Sequence, residues 1–142
     1  MSASIRDFEH GDAGKIATTK PIAGLDRDSF YYLGMEGLSW TMLEDGEPIA
    51  AWGLYPESEG VATVWSEFSE RALTVYPVLL AKSVKRGLAE VVESMSLHQV
   101  HAMIPADDDV IAHWIEWLGF RIGHRVAVME GVDALVCTKV IH

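Results

Sequence analysis

The chain has 142 residues, of which 49% are hydrophobic and 23% are charged, as in an ordinary globular protein. Its 21 acidic and 11 basic side chains give a formal net charge of -10, and such a surface repels phosphate backbones and anionic membranes. Nucleic acid and membrane are therefore not expected as partners. Cys137 is the only cysteine, which excludes an internal disulfide and a cysteine-rich zinc site.

Residues 1–142 contain no internal repeat, low-complexity tract or linker, and this length is typical of one domain. The first ten residues, MSASIRDFEH, carry charges where a signal peptide has an apolar core. No apolar run reaches the ~18 residues of a membrane span. We expect one domain, located in the cytoplasm of the producing cell or in a particle assembled there.

The N-terminal part predicts a weak edge strand followed by two short helices. Alternating residues from Ser4 to Phe8 suit the strand. The helices are predicted over Gly11–Thr19 and Leu25–Leu33, because Pro21 and Gly24 break the chain between them.

Three strands follow as an antiparallel meander. Leu38–Leu43 leads into Asp45-Gly46, a dipeptide that favours a tight hairpin turn. Ile49–Tyr55 returns beside it, and Val61–Phe68 is the third strand.

The longest predicted helix begins near Pro77, since proline suits a first helical turn. It carries an apolar stripe at helical spacing, formed by Leu80, Val84, Leu88 and Val91/Val92. Val100–Ile104 is the next strand, ending at Pro105.

A further helix is predicted from Asp107–Asp109 to Leu118, because acidic residues favour a helix N-terminus. Gly119 suits the position just beyond its end. Two last strands, Arg121–Met129 and Ala134–Ile141, are joined through Glu130-Gly131.

This order predicts an α/β protein with a mixed α+β sheet. The meander makes antiparallel pairs, and the later strand–helix–strand unit requires one parallel pair through a crossover. Helices should cover both faces of the sheet.

The same order resembles the GNAT fold, that of the acetyl-CoA-dependent N-acyltransferases. The most specific local match is Trp114-Ile115-Glu116-Trp117-Leu118-Gly119-Phe120, which resembles the family's helix ending in aromatic-Glu-Lys-Leu-Gly-Phe before its last two strands. Asp108 falls where the family often has Asn. Because Gly119 permits a left-handed turn and Phe120 can insert beneath the helix, this phrase indicates the fold and not an activity.

Two departures from the family bear on activity. GNAT enzymes hold the coenzyme A pyrophosphate on a loop written Gln/Arg-x-x-Gly-x-Gly/Ala, whose amides approach the phosphates closely. The corresponding residues 67–76, EFSERALTVY, contain no glycine, two glutamates and one arginine. Many GNAT enzymes also protonate the leaving thiolate with a tyrosine, and Ile115 occupies that position here.

Because it lacks the loop glycines and the tyrosine and is short, the chain resembles the degenerate GNAT-like proteins of short-tailed phages described as internal virion protein A. The resemblance is strongest from Val61 to Val140. It implies a phage protein with a structural role in the virion, and other virion proteins or a second copy of the chain as partners.

Some residues could still carry chemistry. Glu67 lies where the resemblance places a general base, although a solvated strand-end glutamate is the simpler interpretation. His113 could act as acid or base near neutral pH. Ser69 and Arg71 are the candidates for contact with a pyrophosphate.

The remaining reactive or aromatic side chains indicate structure more than catalysis. His98, His101 and His124 show no metal-ligand spacing, so no metal site is expected. Cys137 lies in an apolar strand and resembles an inert small hydrophobe. Trp114 and Trp117, three residues apart, should share a helix face that is either core or a protein interface; both alternatives stay open.

Three functional hypotheses follow. The first is a non-catalytic GNAT-like protein that needs no cofactor and makes protein–protein contacts in a phage particle. The second is an active N-acetyltransferase that uses acetyl-CoA through a non-standard cofactor loop. The third is a domain that binds a small molecule or a regulatory ligand.

Overall fold

A computed structural model describes residues 2–9, 11–17, 39–129 and 132–141. The predicted helix Leu25–Leu33 and the connection Glu130-Gly131 lie outside these residues. Within them, no helix combines the length and hydrophobicity needed to cross a membrane.

The described residues form seven strands and four helices. The strands are β1 (Ala3–Asp7), β2 (Ser39–Glu44), β3 (Glu47–Ser58), β4 (Val61–Phe68), β5 (Gln99–Pro105), β6 (Arg121–Met129) and β7 (Val132–Val140). The helices are α1 (Asp12–Lys15), α2 (Glu70–Val75), α3 (Pro77–Ser94) and α4 (Asp109–Trp117).

The seven strands make one sheet in the order β1-β2-β3-β4-β5-β7-β6. Neighbouring strands are antiparallel except β4 and β5, which are parallel across the α3 crossover. The predicted mixed sheet is therefore confirmed, with its parallel pair at the centre.

Local sequence signals account for the β2–β3 hairpin. Asp45 and Gly46 both have positive φ, 49° and 85°, the left-handed pair that a tight primed turn requires. The Asp-Gly prediction is confirmed, and the turn aligns β2 with β3.

The end of α4 forms a hydrogen-bonded glycine cap. Gly119 has φ +95°, its N–H donates to Glu116 O at 2.9 Å, and the Phe120 N–H donates to Ile115 O at 3.1 Å. These are the two bonds of a Schellman motif. They turn the chain so that the Phe120 ring is buried beneath the helix.

Helices cover both faces of the sheet, as predicted. On one face the stripe of α3 and the inner side of α4 pack on β2–β5 and β7 in the main core. On the other face α1 packs on the sheet in a smaller cluster, formed by Phe8, Ala13, Ile16, Ala51 and Trp65.

Two expectations from the sequence need adjustment. Within the described residues 11–17, the helix predicted over Gly11–Thr19 forms one turn, α1, because Ile16 already has an extended backbone with φ -91° and ψ 125°. The stretch after β4, where the GNAT resemblance places a loop, is instead the helix α2.

Candidate active site in the cleft between two parallel strands

The two central strands separate at one end of the sheet. The β4–β5 ladder pairs Val61–Val64 with Gln99–Ala102 and goes no further. Both strands continue, β4 to Phe68 and β5 to Pro105. The result is a wedge-shaped gap in the middle of the sheet.

The main chain of β4 presents hydrogen-bonding groups to this gap. The Ser69 N–H donates to Ile49 O of β3 at 3.1 Å. Since backbone groups of a strand point alternately to its two sides, odd-numbered residues of β4 face β3, and Ser66 and Phe68 face the gap. Both lie beyond the last β4–β5 pair, so their main-chain groups point into the gap and not to a neighbouring strand.

Apolar side chains line the cleft that continues from this gap toward α3 and α4. The lining comes from β3, β4, β5 and the two helices: Trp52, Val64, Ser66, Phe68, Val84, Ala102, Met103, Ile104, Ile111, Trp114, Ile115 and Leu118. Phe68 and Trp114 meet across it, with ring centroids 5.6 Å apart. The enclosed space is about 40 Å³, so any ligand larger than a few water molecules must part these rings.

Glu67 points to the opposite face of the sheet from this apolar cleft. It lies one residue from the gap-facing positions Ser66 and Phe68, and its register partner on β3 is Ala51. Its side chain is only 4% exposed. A buried carboxylate thus stands beside the gap, on the face that carries α1.

In GNAT enzymes the loop at this position offers its main-chain N–H groups to phosphates. In this chain the corresponding N–H groups are hydrogen-bonded within α2. The Ala72 N–H donates to Ser69 Oγ at 3.1 Å. The Leu73 N–H donates to Ser69 O, and the Tyr76 N–H donates to Ala72 O. Ser69 is the N-cap of α2, so its hydroxyl and its amide both have partners within the protein. These groups do not fit the family's pyrophosphate cradle.

Arg71 contacts a carboxylate of the β2–β3 hairpin. Its Nε and Nη2 donate to the two carboxylate oxygens of Glu44 at 2.8 and 2.9 Å. The Tyr76 hydroxyl donates to the same carboxylate at 2.5 Å. The hydrogen bond from Arg71 and, to a smaller extent, the one from Tyr76 hold the pKa of the Glu44 carboxyl below its usual range. The hydrogen bond between Tyr76 and Glu44 also raises the pKa of the Tyr76 hydroxyl. Arg71 as a cofactor ligand stays a prediction.

The residues of α4 that the sequence singled out lie in different surroundings. Ile115 is buried in the cleft wall, and His113 is exposed. Trp114 lines the cleft, whereas Trp117 is 52% exposed and lies near Lys85. The two tryptophans, predicted to share one face, thus have different surroundings, because a three-residue step turns a helix by less than a full turn.

The histidines and the cysteine do not assemble a reactive centre within the described ranges. Those ranges contain no group of three or more potential metal ligands. His101 contacts Gln99 and Thr138. Cys137 is fully buried, and this burial raises the pKa of its thiol, as expected for an unreactive cysteine.

No sequence pattern predicted the polar cluster that lies on the α1 face of the sheet. The buried carboxylate of Asp12 accepts two bonds from Arg6, at 2.7 and 3.0 Å. It also accepts bonds from Thr41 Oγ1 at 2.7 Å and from the Glu9 N–H at 2.8 Å. The cluster joins α1 to β1 and β2, and each partner was an ordinary polar residue in the sequence.

Comparisons with known proteins support the fold. Neither protein-family descriptions nor curated proteins give a match to the sequence. Solved structures do match: Ard1 from Thermoplasma volcanium has TM-score 0.78 at 11% identity, covering 100% of this chain and 99% of its own. An acetyltransferase from Streptococcus agalactiae has TM-score 0.75 at 13% identity, covering 98% of each chain.

The ribosomal-protein-S18-alanine N-acetyltransferase from Escherichia coli is also similar. Its TM-score is 0.70 at 16% identity, covering 99% of this chain and 94% of its own. The chain has the GNAT fold over its whole described length. The resemblance to phage virion proteins is not supported by these comparisons and stays a hypothesis.

Proposed function

We propose that this chain is an N-acyltransferase that takes an acyl group from a thioester, such as acetyl-CoA, and transfers it to an amine. The observation that carries the proposal is the gap between β4 and β5, where the main chain of Ser66 and Phe68 points into an apolar cleft. The GNAT fold of the solved acetyltransferases supports it. The proposal corresponds to an active enzyme with a non-standard cofactor loop.

The gap suits the chemistry of acyl transfer. An amine attacks the thioester carbonyl, a C–N bond forms and the C–S bond breaks. Negative charge develops on the carbonyl oxygen, and main-chain N–H groups of β4 can stabilise it, as oxyanion-hole donors do. The apolar lining excludes water, which strengthens those hydrogen bonds.

Glu67 supplies the base in this scheme. Its carboxylate lies on the face opposite the α3–α4 cleft, so an amine approaching from that face would pass it before reaching the gap. The carboxylate takes the proton that the attacking nitrogen loses. Ile115 cannot donate a proton to the leaving thiolate, which takes one from solvent after it has left the cleft.

The net charge of -10 bears on the acceptor. A strongly acidic surface attracts cations and raises their local concentration. A protonated amine, such as a polyamine or a basic peptide, is therefore favoured over an acidic acceptor.

Thiol release from acetyl-CoA in the presence of spermidine or a peptide with an amino-terminal alanine tests the proposal. Glu67→Gln should lower kcat by about 100-fold, the usual contribution of a general base. The matched control is Glu90→Gln, an exposed glutamate on α3, which should leave kcat unchanged. No thiol release above the buffer rate, with no acetyl-CoA binding by calorimetry, would contradict the proposal.

A second candidate function has its own support. The replacement of the loop by α2, and Ile115 at the position of the family's tyrosine, favour a non-catalytic GNAT-fold protein that acts through protein–protein contacts. Its partners would be other virion proteins or a second copy of the chain. Stable co-purification with phage particles, together with absent acetyl-CoA binding, would select this function over the enzyme.

A further inference from the structure

Two lysines and a tryptophan meet beside the cleft, where α3, α4 and β7 come together. Lys85 Nζ lies 4.9 Å from the ring centroid of Trp117. Lys139 Nζ donates to Leu118 O at 2.8 Å. Burial of Lys139 and, to a smaller extent, the charge of Lys85 lower the pKa of Lys139. Because Trp117 and Leu118 are adjacent residues, both ammonium groups lie at the C-terminal end of α4.

Neither lysine has an acidic partner within 4.0 Å in the part of the chain that the structure describes. An anion bound between the two ammonium groups would be attracted by both of them.

Trp117 adds an aromatic surface to the two charges. Its side chain is 52% exposed, and Lys85 approaches its ring, so the ring is not sealed into the core. An exposed tryptophan beside cations can stack on a planar ring while the lysines contact the phosphates attached to it.

The cluster borders the proposed thioester cleft. Val84 and Leu118 line the cleft, and they are the chain neighbours of Lys85 and Trp117. A donor whose thioester lies between β4 and β5 could therefore extend along α3 and α4 to these side chains.

We propose that Lys85, Lys139 and Trp117 bind the phosphorylated nucleotide end of the acyl donor. This inference rests on the proposed function. The two lysines would hold the donor's phosphate groups, and the tryptophan ring would stack on its base. The N–H groups of α2 do not bind these phosphates because they are hydrogen-bonded within the helix.

Gly119 makes room for this arrangement. A Cβ at this position would lie 3.3 Å from both Cε and Nζ of Lys139, and the φ of +95° disfavours any other residue. The glycine that ends α4 thus also leaves space for the Lys139 ammonium group.

Calorimetric titration with coenzyme A, 3′-dephospho-coenzyme A and pantetheine tests the inference on the full chain. Each step down this series should weaken binding, because it removes a phosphate or the nucleotide. Lys85→Gln and Lys139→Gln should each weaken coenzyme A binding about tenfold, the usual effect of losing a charged hydrogen bond. Trp117→Ala should weaken binding by a similar factor.

Controls separate charge from structure. Lys15→Gln makes the same charge change on α1 and should leave the dissociation constant unchanged. Lys85→Arg and Lys139→Arg keep the charge and should largely restore binding. Because salt screens the attraction between exposed charges, affinity should also fall as salt rises, and less steeply in Lys85→Gln.

The outcomes distinguish this inference from the proposed function. Transfer from S-acetyl-N-acetylcysteamine, a thioester with neither phosphate nor nucleotide, tests the cleft and Glu67 alone. If wild type transfers from that thioester but the lysine and tryptophan variants bind coenzyme A as well as wild type does, the nucleotide site is wrong and the acyltransferase stands. Absence of coenzyme A binding in wild type also overturns the nucleotide site.

Discussion

Gly87 of α3 lies directly beneath the ring of Trp40 of β2. A Cβ built on this glycine would be 2.9 Å from Cζ3 and 3.1 Å from Cε3 of the indole. Such distances are closer than van der Waals contact. The glycine is therefore present because an aromatic ring packs against the helix backbone, which brings α3 close to the sheet.

Because of this contact, the effect of Gly87→Ala on the free energy of unfolding should depend on the residue at position 40. On a free helix, Gly→Ala stabilises by about 1 kcal/mol. At Gly87 the Trp40 ring must shift, and overpacking costs about 1–3 kcal/mol, so we expect Gly87→Ala to destabilise by about 1 kcal/mol. In a Trp40→Leu background the same change should be neutral or stabilising.

A double-mutant cycle by urea unfolding measures this coupling. The four chains are wild type, Gly87→Ala, Trp40→Leu and the double variant. Equal effects of Gly87→Ala in both backgrounds would show that the ring does not restrict the helix.

The two tryptophans of α4 should differ sharply in their effect on stability. Trp114 packs against Phe68 in the cleft and borders the core, so Trp114→Ala should lower the free energy of unfolding by about 2–3 kcal/mol. Trp117 is half-exposed and contacts Lys85, so Trp117→Ala should cost less than about 1 kcal/mol. Urea denaturation followed by circular dichroism measures both values, and similar losses for the two variants would contradict the structure.

Much of the fold was predictable because its signals are local. Val61–Phe68 and Arg121–Met129 were predicted with the bounds that β4 and β6 have, since alternating apolar residues and flanking turns mark a strand. Pro77 and Gly119 likewise mark the start of α3 and the end of α4. Proline and glycine restrict the backbone wherever they occur, so their effect does not depend on distant residues.

α2 and the candidate site were harder to predict from the sequence than the strands and the long helices. The helix has six residues, too few for a hydrophobic period, although Ser69 was an available N-cap signal. The gap depends on where the β4–β5 ladder stops, which no single segment determines. The pair Arg71–Glu44 spans 27 positions of the chain, and sequence patterns do not report such distant contacts.

The Asp12 cluster predicts a loss of stability in acid. Burial alone would raise the pKa of Asp12, but hydrogen bonds from Arg6, the Glu9 amide and Thr41 outweigh it and lower the pKa. A carboxyl whose pKa is lower in the folded state stabilises the fold above its unfolded pKa of about 3.9. That contribution disappears as pH falls through the lower, folded-state pKa.

Asp12→Asn should therefore lower the free energy of unfolding by about 2 kcal/mol at pH 7, where the charge-assisted bonds to Arg6 are intact. The difference from wild type should shrink below about pH 4. Asp7→Asn, an exposed aspartate on β1, is the control and should show no such pH dependence. A constant difference across pH 2–7 would mean that the Asp12 charge does not stabilise the fold.

The Arg71–Glu44 pair allows a test of what Arg71 does. Because both oxygens of Glu44 accept bonds from the guanidinium, we expect Arg71 to hold α2 against the β2–β3 hairpin. Arg71→Ala and Glu44→Gln should then cause small, similar and non-additive losses of stability. Neither should change the dissociation constant of acetyl-CoA by more than about twofold, which calorimetry can measure. Weaker acetyl-CoA binding in Arg71→Ala alone would instead place the guanidinium on the donor's phosphates, and Glu44→Gln, by releasing it, should then tighten binding.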